Sequence, residues 1–181
     1  MQTAIFGGGC FWCTEAIFQT LRGVELVSPG YMGGYTPHPT YMEICQGDTG
    51  HAEVIKIDFD ESVIGYSDLL QVFFNTHNPT TRNRQGNDRG AQYRSVVFYQ
   101  DAAQRDMAAA MIGQVAASGM YEKEIVTELA HAAAFYPAET YHQDYFIKNR
   151  HKPYCSFVIQ PKLDKFTVAF GQLLRPEFLE K

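Results

Sequence analysis

The chain has no uninterrupted apolar run near the ~20 residues that span a bilayer, so its sequence does not read as a membrane-spanning protein. A basic start followed by a long apolar stretch is also missing, and no signal peptide is expected. Basic charge is scarce: 15 Lys and Arg against 20 Asp and Glu leave a net charge of −5. No dense basic face is on offer for a sequence-independent grip on nucleic acid. Arg82, Arg84, Arg89 and Arg94 come nearest, but Asn, Gln, Gly and Asp88 interleave them, and they read as structural or site-lining groups. Cysteine is sparse too. Four in 181 residues, three of them in the first quarter, are too few for a disulfide scaffold. They suit reduced thiols in a cytoplasmic protein. There is no repeat, linker or low-complexity tract. What remains, 45% hydrophobic over residues 1–181, suits one domain. A domain of this size buries about 70% of its unfolded surface.

Against this background Cys10 stands out. It follows a short apolar run and three glycines, in Thr3-Ala4-Ile5-Phe6-Gly7-Gly8-Gly9-Cys10-Phe11-Trp12-Cys13. A strand that ends in glycines and opens into a helix gathers free N–H groups and the positive end of the helix dipole. A thiol there is expected to lose its proton below the usual ~8.5. Phe11, the lone Trp12 and Cys13 surround it, as in a nucleophile at the floor of an aromatic pocket.

The remaining elements follow from periodicity. A strand is expected over residues 2–6 and a helix from Cys10 to about Leu21, with Cys10, Cys13, Ile17 and Leu21 on its buried face and Gly23 ending it. Residues 24–32 read as extended, with Pro29 marking an edge or a break. Residues 33–50 read as a loop. Residues 51–59 form the clearest strand, with Glu53, Ile55, Ile57 and Phe59 on the core side. Ser67 is expected to cap a helix to Thr76, and a long polar loop follows to Gly90. Then come a strand at 93–99, a helix from Asp101 to about Ala117, a strand at 125–129 and a last helix at 137–147. The C-terminal segment reads as mostly irregular, with an extended piece at 156–159. Alternating strands and helices indicate an α+β domain with a mixed sheet.

Glu53 ends an apolar row. A carboxyl so placed resists ionisation, and a carboxylic acid that stays protonated near neutral pH suits general-acid catalysis. Solvent exposure, or a backbone N–H partner, is the plainer reading. Cys10 and Cys13 make a C-x-x-C that suits a redox dithiol, half a zinc site or two core thiols. Zinc would need two more ligands, from Cys45, Cys155 or a histidine, and no second C-x-x-C or close His pair supplies them. Tyrosine-phosphatase chemistry is excluded, because no arginine follows Cys10 at the required distance. Tyr41, Tyr93 and Asp88 lie in or beside the polar segments, where packing is as good a reading as function. His51 and His77 have ordinary structural readings.

Four blocks together resemble the peptide methionine sulfoxide reductase A family. They are Gly9-Cys10-Phe11-Trp12, Gly47-Asp48-Thr49-Gly50-His51-Ala52-Glu53, Gly86-Asn87-Asp88-Arg89-Gly90-Ala91-Gln92-Tyr93-Arg94-Ser95 and Ala138-Glu139-Thr140-Tyr141-His142-Gln143. The resemblance implies a two-layer fold with a ferredoxin-like core. It implies reduction of the S epimer of methionine sulfoxide, free or in proteins. Cys10 is then the nucleophile, Glu53 the acid, Tyr41 and Tyr93 donors to the sulfoxide oxygen, and Asp88 a group that positions water or backbone near it. Phe11 and Trp12 form the pocket for the substrate methyl group. The Cys10 sulfenic acid then condenses with a second thiol. Cys13 is favoured as first resolver, with Cys155 acting second, whereas Cys45 reads as a structural thiol. Thioredoxin, or dithiothreitol in its place, supplies the electrons, and no metal or organic cofactor is implied. The protein is expected to be a monomer. A thioredoxin-like dithiol oxidoreductase is the alternative enzyme, and a methionine- or zinc-binding module the non-enzymatic one.

Overall fold

Residues 1–179 are described by a computed structural model. In chain order its elements are β1 (Gln2–Gly7), α1 (Phe11–Phe18), β2 (Val24–Met32), α2 (Tyr41–Gln46), β3 (Ala52–Phe59) and α3 (Tyr66–Thr76). There follow β4 (Arg84–Gln85), β5 (Asp88–Arg89), β6 (Val96–Tyr99), α4 (Ala102–Ala117), β7 (Glu128–His131), β8 (Tyr136–Pro137), α5 (Tyr145–Lys148) and α6 (Gln160–Ala169). Strands run in the order β7-β6-β1-β3-β2-β8, and β4 pairs with β5 as a separate hairpin. Within this sheet β1-α1-β2-β3-α3-β6 places its strands as β6-β1-β3-β2, all antiparallel, which is the ferredoxin-like arrangement. Parallel pairing of β7 with β6 makes the sheet mixed.

The period-two pattern of β3 explains the layering. Glu53, Ile55, Ile57 and Phe59 face the helices, and all are buried. Phe6 of β1 stacks on Phe73 of α3 at 4.9 Å and meets Phe18 of α1 at 5.9 Å. Burying each such side chain contributes about 1.5–3 kcal/mol. The opposite face carries a smaller cluster, Ile5, Met32, Ala52, Val54, Val96 and Phe98, covered by Ala130, Ala132 and Phe135. Pro29 does not break β2. Its carbonyl accepts from Ala138 N–H at 2.9 Å, so its missing donor faces the outer side and the ladder to β3 stays intact.

Several expectations need correction. The presumed loop at 33–50 contains α2, which is started by a capping box: Thr40 accepts from Glu43 N–H while Glu43 accepts from Thr40 N–H. Gly65, not Ser67, precedes α3, and its N–H is taken by the Asp68 carboxylate at 2.9 Å. The polar loop holds the β4–β5 hairpin around Gly86 and Asn87. α1 is shorter than expected, with Cys10 outside it at the N-cap. The strands at 93–99 and 125–129 are displaced to β6 and β7. Instead of a helix at 137–147 there are β8, a short turn at Thr140–His142 and α5.

The largest correction is at the C-terminus, which is helical where an irregular segment was expected. Cys155, Ile159, Leu163 and Phe166 recur at spacings of four, four and three, and all are buried. Pro161 lacks an N–H and would clash with the carbonyl four residues back in a regular helix. A widened turn over Cys155–Ile159 removes the conflict, with Gln160 N–H donating to the Cys155 carbonyl five residues back. Beyond α6, Leu21 and Leu174 pair as a bridge, and Arg175 N–H donates to the Thr20 carbonyl at 2.9 Å.

Candidate active site

β1 delivers the chain to the start of α1 through Gly8 and Gly9. Gly9 has a φ of +89°, and a Cβ there would lie 2.6 Å from the Gln85 side chain, so both backbone and space demand glycine. Cys10 then sits at the N-cap with no side-chain capping bond. The first helical N–H, on Phe11, donates to Glu53 Oε2 at 3.1 Å. One bond thus ties the acid of β3 to the residue after the thiol.

Glu53 is 2% exposed and lies opposite Tyr31 in the β2–β3 ladder. Burial pushes its carboxyl up to about 8 against the pull of Phe11 N–H, and the charges of Asp88 and Cys13 push the same way. It therefore holds its proton at neutral pH. Tyr41 at the start of α2 and Tyr93 at the end of the turn Ala91–Tyr93 are both raised, first by burial and then by the charge of Glu53. Both hydroxyls keep their protons and are available as donors. Asp88 of β5 is raised by burial, against the attraction of Lys162.

The two thiols behave differently from expectation. Cys10 is raised rather than lowered, first because it donates a hydrogen bond to Cys13, then through burial and the charge of Glu53. The N–H of Trp12 opposes this, but the helix start does not win. Cys13, 6% exposed, is shifted the opposite way. Its thiol is drawn down to about 7 by the hydrogen bond from Cys10, against burial, with help from Lys162 and Tyr154. The Tyr154 hydroxyl lies 3.6 Å from Cys13 Sγ.

Trp12 is oriented by His142, which lies in one of the four sequence blocks, and by Tyr145, which lies outside them. Its ring stacks on Tyr145 at 3.7 Å and 5°, and its Nε1–H donates to His142 Nδ1 at 3.0 Å. That bond makes Nδ1 an acceptor, so in neutral His142 the proton is on Nε2, 3.6 Å from Glu139 Oε2. Burial lowers the His142 pKa against the attraction of Glu139, which keeps the ring neutral. Tyr145 is held in turn by Glu15, whose buried carboxylate accepts from Asp144 and Tyr145 N–H at 2.7 and 3.2 Å. Phe11 is enclosed between Tyr31 and His142, part of the core beneath the site.

A cavity of about 230 Å³ opens beside the thiols. Cys10, Cys13, Asp88, Tyr154, Val158 and Lys162 are among the residues lining it. Glu53, Tyr41, Tyr93, Phe11 and Trp12 do not line it. All four cysteines are free. Cys155 is fully buried in the C-terminal helix, one residue past Tyr154. Cys45 is exposed on α2. His51 accepts from Gly34 N–H at 2.9 Å, and buried His77 meets the Phe73 carbonyl at 2.6 Å and Ser95 Oγ at 2.7 Å, so both serve the fold. Among the described residues no group of three or more His, Cys, Asp and Glu gathers as metal ligands, and no helix is long and apolar enough to cross a membrane.

Residues 2–173 match the family model described as peptide methionine sulfoxide reductase. The peptide methionine sulfoxide reductase MsrA of Acinetobacter baumannii (strain SDF) is 55% identical over 177 residues, 98% of this chain and 100% of that protein. Among solved structures, reduced Mxr1 from Saccharomyces cerevisiae aligns with a TM-score of 0.80 at 32% identity, covering 85% of this chain and 88% of its own. Methionine sulfoxide reductase A of Corynebacterium diphtheriae aligns with a TM-score of 0.71 at 35% identity, covering 82% and 74%. Yeast Mxr1 has also been solved in complex with Trx2; that chain matches at 21% identity with a TM-score of 0.57 over 80% and 84%, a likeness of fold alone.

Proposed function

The chain belongs to the peptide methionine sulfoxide reductase family, and from that premise we propose that it acts as one catalytic domain reducing the S epimer of methionine sulfoxide, free or in proteins. The observation that carries the assignment of roles is the buried Glu53 carboxyl, bonded to the N–H that follows Cys10. Sulfoxide sulfur is a poor electrophile until its oxygen takes a proton. Glu53 supplies that proton, and Tyr41 and Tyr93 donate hydrogen bonds to the same oxygen. Asp88 positions the substrate backbone or water nearby. Trp12, fixed by His142 and Tyr145, walls the methyl group, and Phe11 supports it from the core.

Cys10 and Cys13 share a proton, and its shift toward Cys13 leaves the attacking thiolate on Cys10. The Cys10 sulfur bonds to the sulfoxide sulfur, the oxygen passes to Cys10 as a sulfenic acid, and methionine leaves as the thioether. Cys13, one helical turn away, then forms the disulfide, and the oxygen departs as water. Cys155 is enclosed in the helix, so oxidation reaches it only if the wide turn opens. Thioredoxin reduces the disulfide, and dithiothreitol does so in vitro. Four free thiols fit a cytoplasmic monomer that repairs oxidised methionine.

The test uses racemic N-acetyl-methionine sulfoxide with dithiothreitol, resolved by chiral chromatography. Wild type is expected to consume the S epimer alone and Cys10→Ser neither. Consumption of neither epimer by folded, reduced wild type contradicts the assignment.

A further inference from the structure

The cavity beside the thiols is walled on one side by α6, and Lys162 is the basic residue among those lining it. Its neighbours on the helix, Leu163 and Phe166, are buried and fix which face α6 turns inward. None of the ion pairs among the described residues uses Lys162. Asp88 supplies the carboxylate in the same cavity and feels the attraction of Lys162, but the two form no ion pair. A cation held in no ion pair thus lines the same small cavity as the two thiols.

We propose that Lys162 is a positioning residue for the resolving step, its ammonium group holding Cys13 as the thiolate that attacks the Cys10 sulfenic acid. This rests on Cys13 being the first resolver. In that step the Cys13 sulfur gives an electron pair to the Cys10 sulfur. The S–S bond forms, the S–O bond breaks, and the departing hydroxide takes a proton from solvent to become water. Cys13 is oxidised and the Cys10 sulfur reduced.

The need for such a group follows from the order of events. In the resting enzyme the strongest support for a Cys13 thiolate is the hydrogen bond from the Cys10 thiol, ahead of Lys162 and Tyr154. By the time Cys13 must act, that thiol has become a sulfenic acid. The groups around Cys13 are then Cys10 at the α1 start, Glu53 of β3, Asp88 of β5, Tyr154 and Cys155 of the C-terminal helix, and Lys162 of α6. Glu53, Asp88 and Cys155 carry no positive charge in any state, and Tyr154 is raised by burial and stays a neutral donor. Lys162 alone among them brings positive charge.

The test is a single turnover of the full chain without external reductant, quenched in acid across a pH series, in wild type, Lys162→Met and Lys162→Arg. Methionine release reports the Cys10 step, and peptide mass reports the Cys10–Cys13 disulfide. Disulfide formation in Lys162→Met is expected to be ~3–5-fold slower near neutral pH and to rejoin wild type in alkali, where the thiol ionises unaided. Lys162→Arg is expected to keep the wild-type profile. A Lys162→Met profile that coincides with wild type overturns the proposal. So does a Lys162→Arg profile shifted as far as that of Lys162→Met, since packing and not charge would then be at work. A wild-type disulfide from Cys10 to Cys155 overturns Cys13 as resolver as well, whereas failure of the methionine step alone points back to the first half-reaction.

Discussion

The two sides of Cys10 are built in different ways. On one side Glu53, Tyr41 and Tyr93 come from the ferredoxin-like core and its loops, where a strand ladder, a capping box and a glycine turn fix each position. On the other, Cys13 faces Tyr154 and Lys162, supplied by a helix appended after that core. The first side holds neutral groups with their protons in place. The second gathers a thiolate, a phenol and a cation around a cavity. An acid and a thiolate must coexist within one site, and separating them onto two differently built walls keeps each from neutralising the other.

The largest break in that comparison is Glu53→Gln. Losing a general acid lowers rate by about 100-fold or more, so methionine release in a single turnover should fall that far. In wild type that step should decline as pH rises through about 8, where the buried acid ionises. Stability follows the same group. Its folded-state pKa is raised, so wild type loses stability as pH climbs from the ordinary carboxylate range through that value. Thermal melts of Glu53→Gln should lack this loss.

A smaller effect is expected for Tyr41→Phe or Tyr93→Phe. In the proposed roles each removes one neutral donor to the oxygen, worth about 0.5–1.5 kcal/mol or ~2–13-fold in rate. Removing both should cost more than either alone, and a double variant as active as wild type would remove the tyrosines from the acid wall. His142→Phe tests how Trp12 is held. Its indole N–H loses its acceptor, at about 1–3 kcal/mol, and a rise in KM larger than the fall in kcat is the expected outcome. The smallest effect is expected for Cys155→Ser, whose turnover with thioredoxin should stay within ~2-fold of wild type, since the residue is enclosed while Cys13 lies beside Cys10.

Legibility in the sequence divides along the same line. Glu53 was readable because a period-two row placed a carboxyl among Ile55, Ile57 and Phe59. The order of strands and helices through the core was readable too. Tyr41 and Tyr93 were not distinguishable by pattern in a chain with 11 tyrosines. Thr40 and Glu43 carried the capping signal for α2, hidden by the surrounding Gly, Pro and Thr. The C-terminal helix was masked by Pro161, although the buried stripe from Cys155 to Phe166 was present. With that helix went Tyr154 and Lys162. The helix start argued for a lowered Cys10, whereas its bond to Cys13 comes first in raising it, followed by burial and the charge of Glu53. The C-x-x-C spacing showed the pair, but not the burial or the approach of Glu53, which are tertiary.

The most direct measurement is a single turnover of Cys13→Ser with methionine sulfoxide and no reductant, quenched with a sulfenic-acid trap. The two-sided account predicts one equivalent of methionine and a trapped sulfenic acid on Cys10. Rapid formation of a Cys10–Cys155 disulfide, with no sulfenic acid trapped, would contradict it.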